Sequence, residues 1–186
     1  MDESYPEITS GRFLYALSHV VTTEQQRAAA AAALTEVVTQ AGLPYLHFAD
    51  EDPRGRVGMA KILAELDITG SIVVSQTSAK SKLELCRRRL LTHAAFQLHR
   101  TEHVTRLVIE SRHQADKHDR KTVNMLRTRH QIRAEGLYVD FQRKSDDPVL
   151  WIADCLASAF TRAEQGADPE PWRILDRAHL IDVQRL

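Results

Sequence analysis

The stretch from Val149 to Phe160 constrains this chain more than any other, being apolar throughout except for Asp154 and Ser158. It is too short to cross a bilayer, which takes about 20 residues. Its flanks read as helix ends, with Asp147 as N-cap, Pro148 at the first helical position and Gly166 just past the last turn. A helix so apolar needs cover from other elements. The rest of the chain must therefore supply layers around it.

Those layers are legible upstream. Arg12 to Thr22 is rich in aromatic and β-branched residues and suits a strand. Thr23 with Gln26 three residues later makes a capping box that opens a helix to about Ala41, where Gly42-Leu-Pro44 stops it. A short extended piece, Tyr45 to Phe48, precedes an acidic loop (Asp50, Glu51, Asp52) and a helix from about Arg54 to Leu66. Ser71 to Ser75 reads as a buried strand. Ser81 and Glu84 form a second capping box, and Leu83, Cys86, Leu90, Ala94 and Leu98 recur at helical steps, predicting an amphipathic helix over 80–99. Val104 to Glu110 is a central strand ending in a carboxylate, 113–134 a polar, cation-rich helix, and Leu137 to Phe141 another strand. Strands alternating with helices after an opening strand pair predict an α/β fold, with helices layered on a mixed sheet. No linker or repeat divides the 186 residues, so a single domain is expected.

Charge is balanced overall, 25 Lys and Arg against 25 Asp and Glu, but unevenly placed. Residues 80–133 hold 14 cations and 5 acids, a net of +9, which leaves the remainder at −9. Six of the nine histidines also fall there. Two cysteines, Cys86 and Cys155, without CxxC spacing exclude a disulfide framework and a zinc knuckle. With no basic segment and apolar run at the start, the expected setting is the reducing cytoplasm, away from membranes. GxSxG, Walker A and GxGxxG patterns are missing, which leaves serine hydrolase, P-loop and dinucleotide chemistry without support.

Three acids stand out by position. Asp154 interrupts the apolar helix, and a lone buried charge needs a partner. That partner is either a structural cation or backbone N–H, or a metal at a pocket. Glu110 ends a strand, where ligands gather in open α/β sheets, although capping the next helix or pairing with Arg112 accounts for it equally. Asp2 and Glu3, judged by pattern alone, are a solvated terminus.

Together the segments Asp2-Glu3-Ser4, Leu107-Val-Ile-Glu110-Ser-Arg112 and Trp151-Ile-Ala-Asp154 resemble the signature boxes of a bacterial family of uncharacterised proteins. That family has a ribonuclease H-like fold of RuvC or integrase type, and an Asp-Glu-Ser box opens its chains. The resemblance implies that Asp2 lies on strand one, Glu110 on strand four and Asp154 in the helix after strand five. A helical insertion, about 23–67, would separate strands two and three, and 167–186 would form a C-terminal extension.

The activity implied is divalent-metal-dependent hydrolysis of phosphodiesters, with Asp2, Glu110 and Asp154 as catalytic carboxylates binding Mg²⁺ or Mn²⁺. Asp119, near the start of the following helix, is the choice over Asp116 for a fourth oxygen. A zinc site from His113, Asp116 and Asp119 has no supporting motif. Arg112, Arg120, Lys121, Arg127 and Arg129, with Arg87, Arg88 and Arg89 from the preceding helix, would form a patch for the phosphate backbone of nucleic acid. His47 is a further residue that the insertion would carry toward the site. The alternatives are a non-catalytic nucleic-acid- or protein-binding module on the same fold, and a homodimer joined through the exposed helices.

Overall fold

The computed structural model describes residues 1–130, 132–133, 136–179 and 181–186, with the side chains of Gln114 and His179 left aside. The protein is α/β. Seven strands and six α-helices occur among the described residues: β1 (Asp2–Ser4), β2 (Glu7–Thr9), β3 (Arg12–Val21), α1 (Glu24–Ala41), α2 (Pro53–Ala64), β4 (Thr69–Thr77), α3 (Leu83–Arg100), β5 (Arg106–Glu110), α4 (Asp116–His130), β6 (Tyr138–Gln142), α5 (Val149–Glu164), α6 (Glu170–His179) and β7 (Asp182–Arg185).

β1, β3, β4 and β7 lie side by side in a mixed sheet, with the short β2 also paired to β3. The β1–β3 and β3–β4 pairs are antiparallel, whereas β7 runs parallel to β4. β5 and β6 form a parallel pair of their own. Two backbone bonds tie that pair to β1: Met1 N–H donates to the Val108 carbonyl at 3.0 Å, and Glu110 N–H donates to the Met1 carbonyl at 3.1 Å. This is the pattern of a parallel bridge. The lateral order is thus β7-β4-β3-β1-β5-β6.

Alternation along β3 sends Leu14 and Ala16 to one face and Tyr15 and Leu17 to the other. The first face packs on α1, α2, α5 and α6; the second packs on α3 and α4. Within α5 the side chains from Leu150 to Ala157 are all buried, as its composition requires. The same alternation splits the opening acids, because neighbouring strand residues point to opposite faces.

Most local signals act as read. Thr23 and Gln26 form the reciprocal capping box of α1, and Gly42 ends that helix at φ 68°. Such left-handed backbone suits glycine. α5 starts one residue later than read, with Pro148 as its N-cap and Val149 its first residue, although Asp147 Oδ1 still accepts from Val149 N–H at 3.0 Å; Gly166 follows its end at φ 69°. Other expectations need correction. The Ser81–Glu84 box does not form: Lys80–Lys82 is a 3₁₀ turn, and α3 starts at Leu83 without a side-chain cap. The extended piece read over Tyr45 to Phe48 ends at His47, whose backbone is extended, because Phe48–Asp50 is a 3₁₀ turn. The expected 113–134 helix opens as a 3₁₀ turn at His113–Ala115 before α4. Its far end takes in Gln131 and Ala134, which lie outside the described residues.

The stretch read only as a C-terminal extension contributes α6, which packs on α2, and β7, which widens the sheet. Among the described residues no helix is long and apolar enough to cross a membrane.

Candidate functional site

Asp2 sits on β1, its side chain turned toward α5, and is 3% exposed. Across the pair, the single hydroxyl proton of its strand partner Ser18 is shared between the Ala153 carbonyl of α5 at 2.6 Å and the Asp2 carbonyl at 3.2 Å. That link holds the helix residue before Asp154 against the strand. Asp154 is 4% exposed; its Oδ2 accepts the Phe48 N–H at 3.2 Å and its Oδ1 the Ser158 hydroxyl at 3.4 Å. Glu110 closes β5, beside β1. Strand, strand end and helix thus bring three carboxylates to one place.

The point of convergence holds a cation. Lys144 follows β6 in a tight turn, where Arg143 O accepts from Asp146 N–H, and Trp151 Nε1 donates to the Lys144 carbonyl at 2.8 Å. Its Nζ lies 3.0 Å from Asp2 Oδ2, 3.2 Å from Asp154 Oδ1 and 3.5 Å from Glu110 Oε2. Asp2 Oδ2 accepts no well-aligned hydrogen bond, so its contact with the ammonium is ionic.

One ammonium against three acids leaves negative charge in excess, and the three carboxyl groups divide in response. Burial, then the hydrogen bond with Asp2 and the charge of Asp2, push Glu110 up to about 8. Burial also raises Asp154, with repulsion from Asp2 adding to it and Lys144 opposing. Burial would likewise raise Asp2, but the hydrogen bond with Glu110 and the Lys144 charge outweigh it and hold Asp2 below its ordinary value. Asp2 and Glu110 are thus pushed apart, the first down and the second up, as expected of two carboxyl groups competing for the same ammonium.

The donor set suits a small hard cation in kind, being all carboxylate oxygen. Among the described residues, however, no three His, Cys, Asp or Glu side chains already stand at metal-binding spacing. The acids ring an ammonium instead.

Several expected site residues lie elsewhere. Asp119 does not join the cluster. It is buried on the opposite face of the sheet, where Arg87 grips it with Nε and Nη2 at 2.7–3.1 Å and Arg112 adds a contact at 3.4 Å. Arg87, grouped by sequence with exposed cations, is 1% exposed and also pairs with Glu3. Arg112 is committed to Glu84, Asp119 and Glu3. Arg127 donates through Nε and Nη2 to the Leu137 carbonyl and is occupied in holding the chain ahead of β6. Asp116 caps the loop before α4 by accepting from Ser111 Oγ and Arg112 N–H at 2.6 Å each, and so is not arranged for zinc. His47 pairs with Asp50 at 2.9 Å, and its neighbour Phe48, through the backbone, is what reaches Asp154.

Arg120, Lys121 and Arg129 do share a surface. With Arg88, Arg89 and Lys117 they line a groove of about 1200 Å³ between α3 and α4, in which no acidic side chain among the described residues takes part. Arg120 also stacks over Phe141 of β6 at 4.5 Å.

Sequence reasoning missed Lys144, the Phe48 amide and Ser18. Lys144 carried one usable signal, its place directly after a strand of the same parallel pair that Glu110 ends. Against protein-family models, curated proteins and solved structures, the chain finds no match.

Proposed function

We propose that the protein is a ribonuclease H-like, divalent-metal-dependent phosphodiester hydrolase, with Asp2, Glu110 and Asp154 as its metal-holding carboxylates. One observation carries this reading: acids from β1, β5 and α5 all lie within 3.5 Å of a single cationic nitrogen. The strand order supports it. Setting aside β2 and β7, the order β4-β3-β1-β5-β6 puts the third, second, first, fourth and fifth strands side by side, and only β3 is antiparallel to its neighbours. That arrangement, with acids on the first and fourth strands and on the helix after the fifth, is the one the family resemblance implies.

Bound Mg²⁺ or Mn²⁺ would activate water and neutralise charge on the leaving oxygen. The protein's part is to hold three carboxylates on rigid elements and to keep Asp154 oriented through the Phe48 amide and Ser158. Nucleic acid is the substrate class that the groove between α3 and α4 fits, since six cations with no acidic side chain among the described residues favour a phosphate backbone. That groove lies in the helical layer opposite α5, so it would anchor a substrate strand remote from the reacting bond.

The experiment is hydrolysis of labelled single-stranded DNA and RNA at several salt concentrations, with Mn²⁺ or with chelator. Metal-dependent cleavage lost in Glu110→Gln, and binding weakened with a flatter salt dependence in a variant lacking the Arg120, Lys121 and Arg129 charges, is the expected result. Metal-independent binding without cleavage would favour the second reading, a non-catalytic module. The observation on its side is Lys144 itself, which balances part of the cluster charge as a fixed counter-ion would.

A further inference from the structure

We propose that Lys144 is the resident cation of the carboxylate cluster and competes with the divalent ion for it, so that metal enters only as the ammonium withdraws. The inference rests on the metal-site reading above and concerns how that site is filled.

The geometry makes the two cations alternatives. An Nζ at 3.0, 3.2 and 3.5 Å from three acids occupies the space toward which all three converge. A divalent ion drawing on the same oxygens would stand within a few ångströms of it, in a site largely closed to water, where like charges repel strongly. Among the described residues every ion pair of Lys144 is to one of these acids, so withdrawal leaves no other ionic partner there behind.

The build of the residue suits displacement. Its backbone is fixed by the Trp151 indole and by the turn that leads into α5, so the residue stays beside the site. Its head is a single point charge on a four-carbon stem, with no fork to lock it to a carboxylate. The side chain is 14% exposed, which gives the ammonium a way out to solvent. Three carboxylates gathered with neither cation present would repel one another, so Lys144 also keeps the cluster assembled before metal arrives.

Two measurements on the full chain test this. The first is Mn²⁺ affinity, by calorimetry, of the wild type, Lys144→Met and Asp154→Asn. Methionine keeps the stem and removes the charge, and Lys144→Gln serves as a second variant, with circular dichroism checking the fold of each. Tighter Mn²⁺ binding by at least ten-fold in Lys144→Met, lost in Asp154→Asn, is the expected result. Equal or weaker affinity in Lys144→Met overturns the competition and leaves the metal site standing. No Mn²⁺ binding by any folded variant removes the metal site itself.

The second needs no variant: amine-selective labelling of the wild type, mapped by mass spectrometry, with and without saturating Mn²⁺. Lys144 should be protected without metal and labelled with it. Unchanged labelling at Mn²⁺ saturation overturns the proposal.

Discussion

β1 carries two charge clusters on its opposite faces, and the contrast between them separates architecture from chemistry. On the α3 and α4 side, Arg87 and Arg112 stand among Glu3, Glu84 and Asp119, two permanent cations against three acids. Burial by itself would lower Arg87, but Glu3 and Asp119 raise it, so the guanidinium stays charged. On the α5 side a single lysine faces Asp2, Glu110 and Asp154, and Glu110 holds a proton to about 8. Forked guanidinium contacts on rigid helices describe a brace between α3, α4 and β1. Three acids around one unforked ammonium leave the larger shortage of positive charge, the condition under which a site recruits a cation.

The contrast is broken most severely at Arg87. Arg87→Met leaves Glu3 and Asp119 buried without their main partner and should cost about 3–5 kcal/mol in urea unfolding. A loss below about 1 kcal/mol would mean that this cluster is not the brace described here.

The Glu110 side gives a test by pH. Its folded pKa is raised from 4.5 to about 8, so its bound proton favours the folded state most fully below pH 4.5. That contribution is lost as pH rises from about 4.5 to about 8. In chelator, the melting temperature of the wild type should therefore fall relative to Glu110→Gln across this window, with the variant ahead at pH 9. Parallel pH profiles would show that neither burial nor Asp2 raises Glu110.

Asp154→Asn should have the smallest effect on stability. Asparagine keeps the size and an acceptor for the Phe48 amide while relieving repulsion from Asp2. Stability in metal-free buffer should stay within about 1 kcal/mol of wild type or rise, as for substitutions that leave packing intact. A large loss of melting temperature would mark Asp154 as half of a structural ion pair with Lys144.

What the sequence disclosed of all this was local. Thr23 with Gln26, Gly42 and the Asp147-Pro148 start each act within a few residues, so their outcome is written where they stand. Ser81 with Glu84 has the same spelling and fails, because the chain tightens into a 3₁₀ turn over Lys80–Lys82 before the helix begins. β7 carries only Val183 as an aliphatic residue and is a strand because β4 offers it an edge.

The site divides in the same way. Position suggested Asp154 and Glu110, and resemblance alone pointed to Asp2. Partners distant in sequence escaped: Arg87 and Asp119, 32 residues apart, are joined only once α3 and α4 pack together. Lys144 was missed for a related reason, since three acids on three elements give its position meaning only after the sheet has formed.

The central claim is that Asp2, Glu110 and Asp154 make one cation site. Its most direct test is the anomalous scattering of crystals soaked in Mn²⁺ above pH 8, where Glu110 sheds its proton. The account predicts a manganese peak bounded by the three carboxylates, with the Lys144 ammonium displaced toward solvent. Fully soaked crystals with manganese elsewhere, and Lys144 still seated among the three acids, would contradict it.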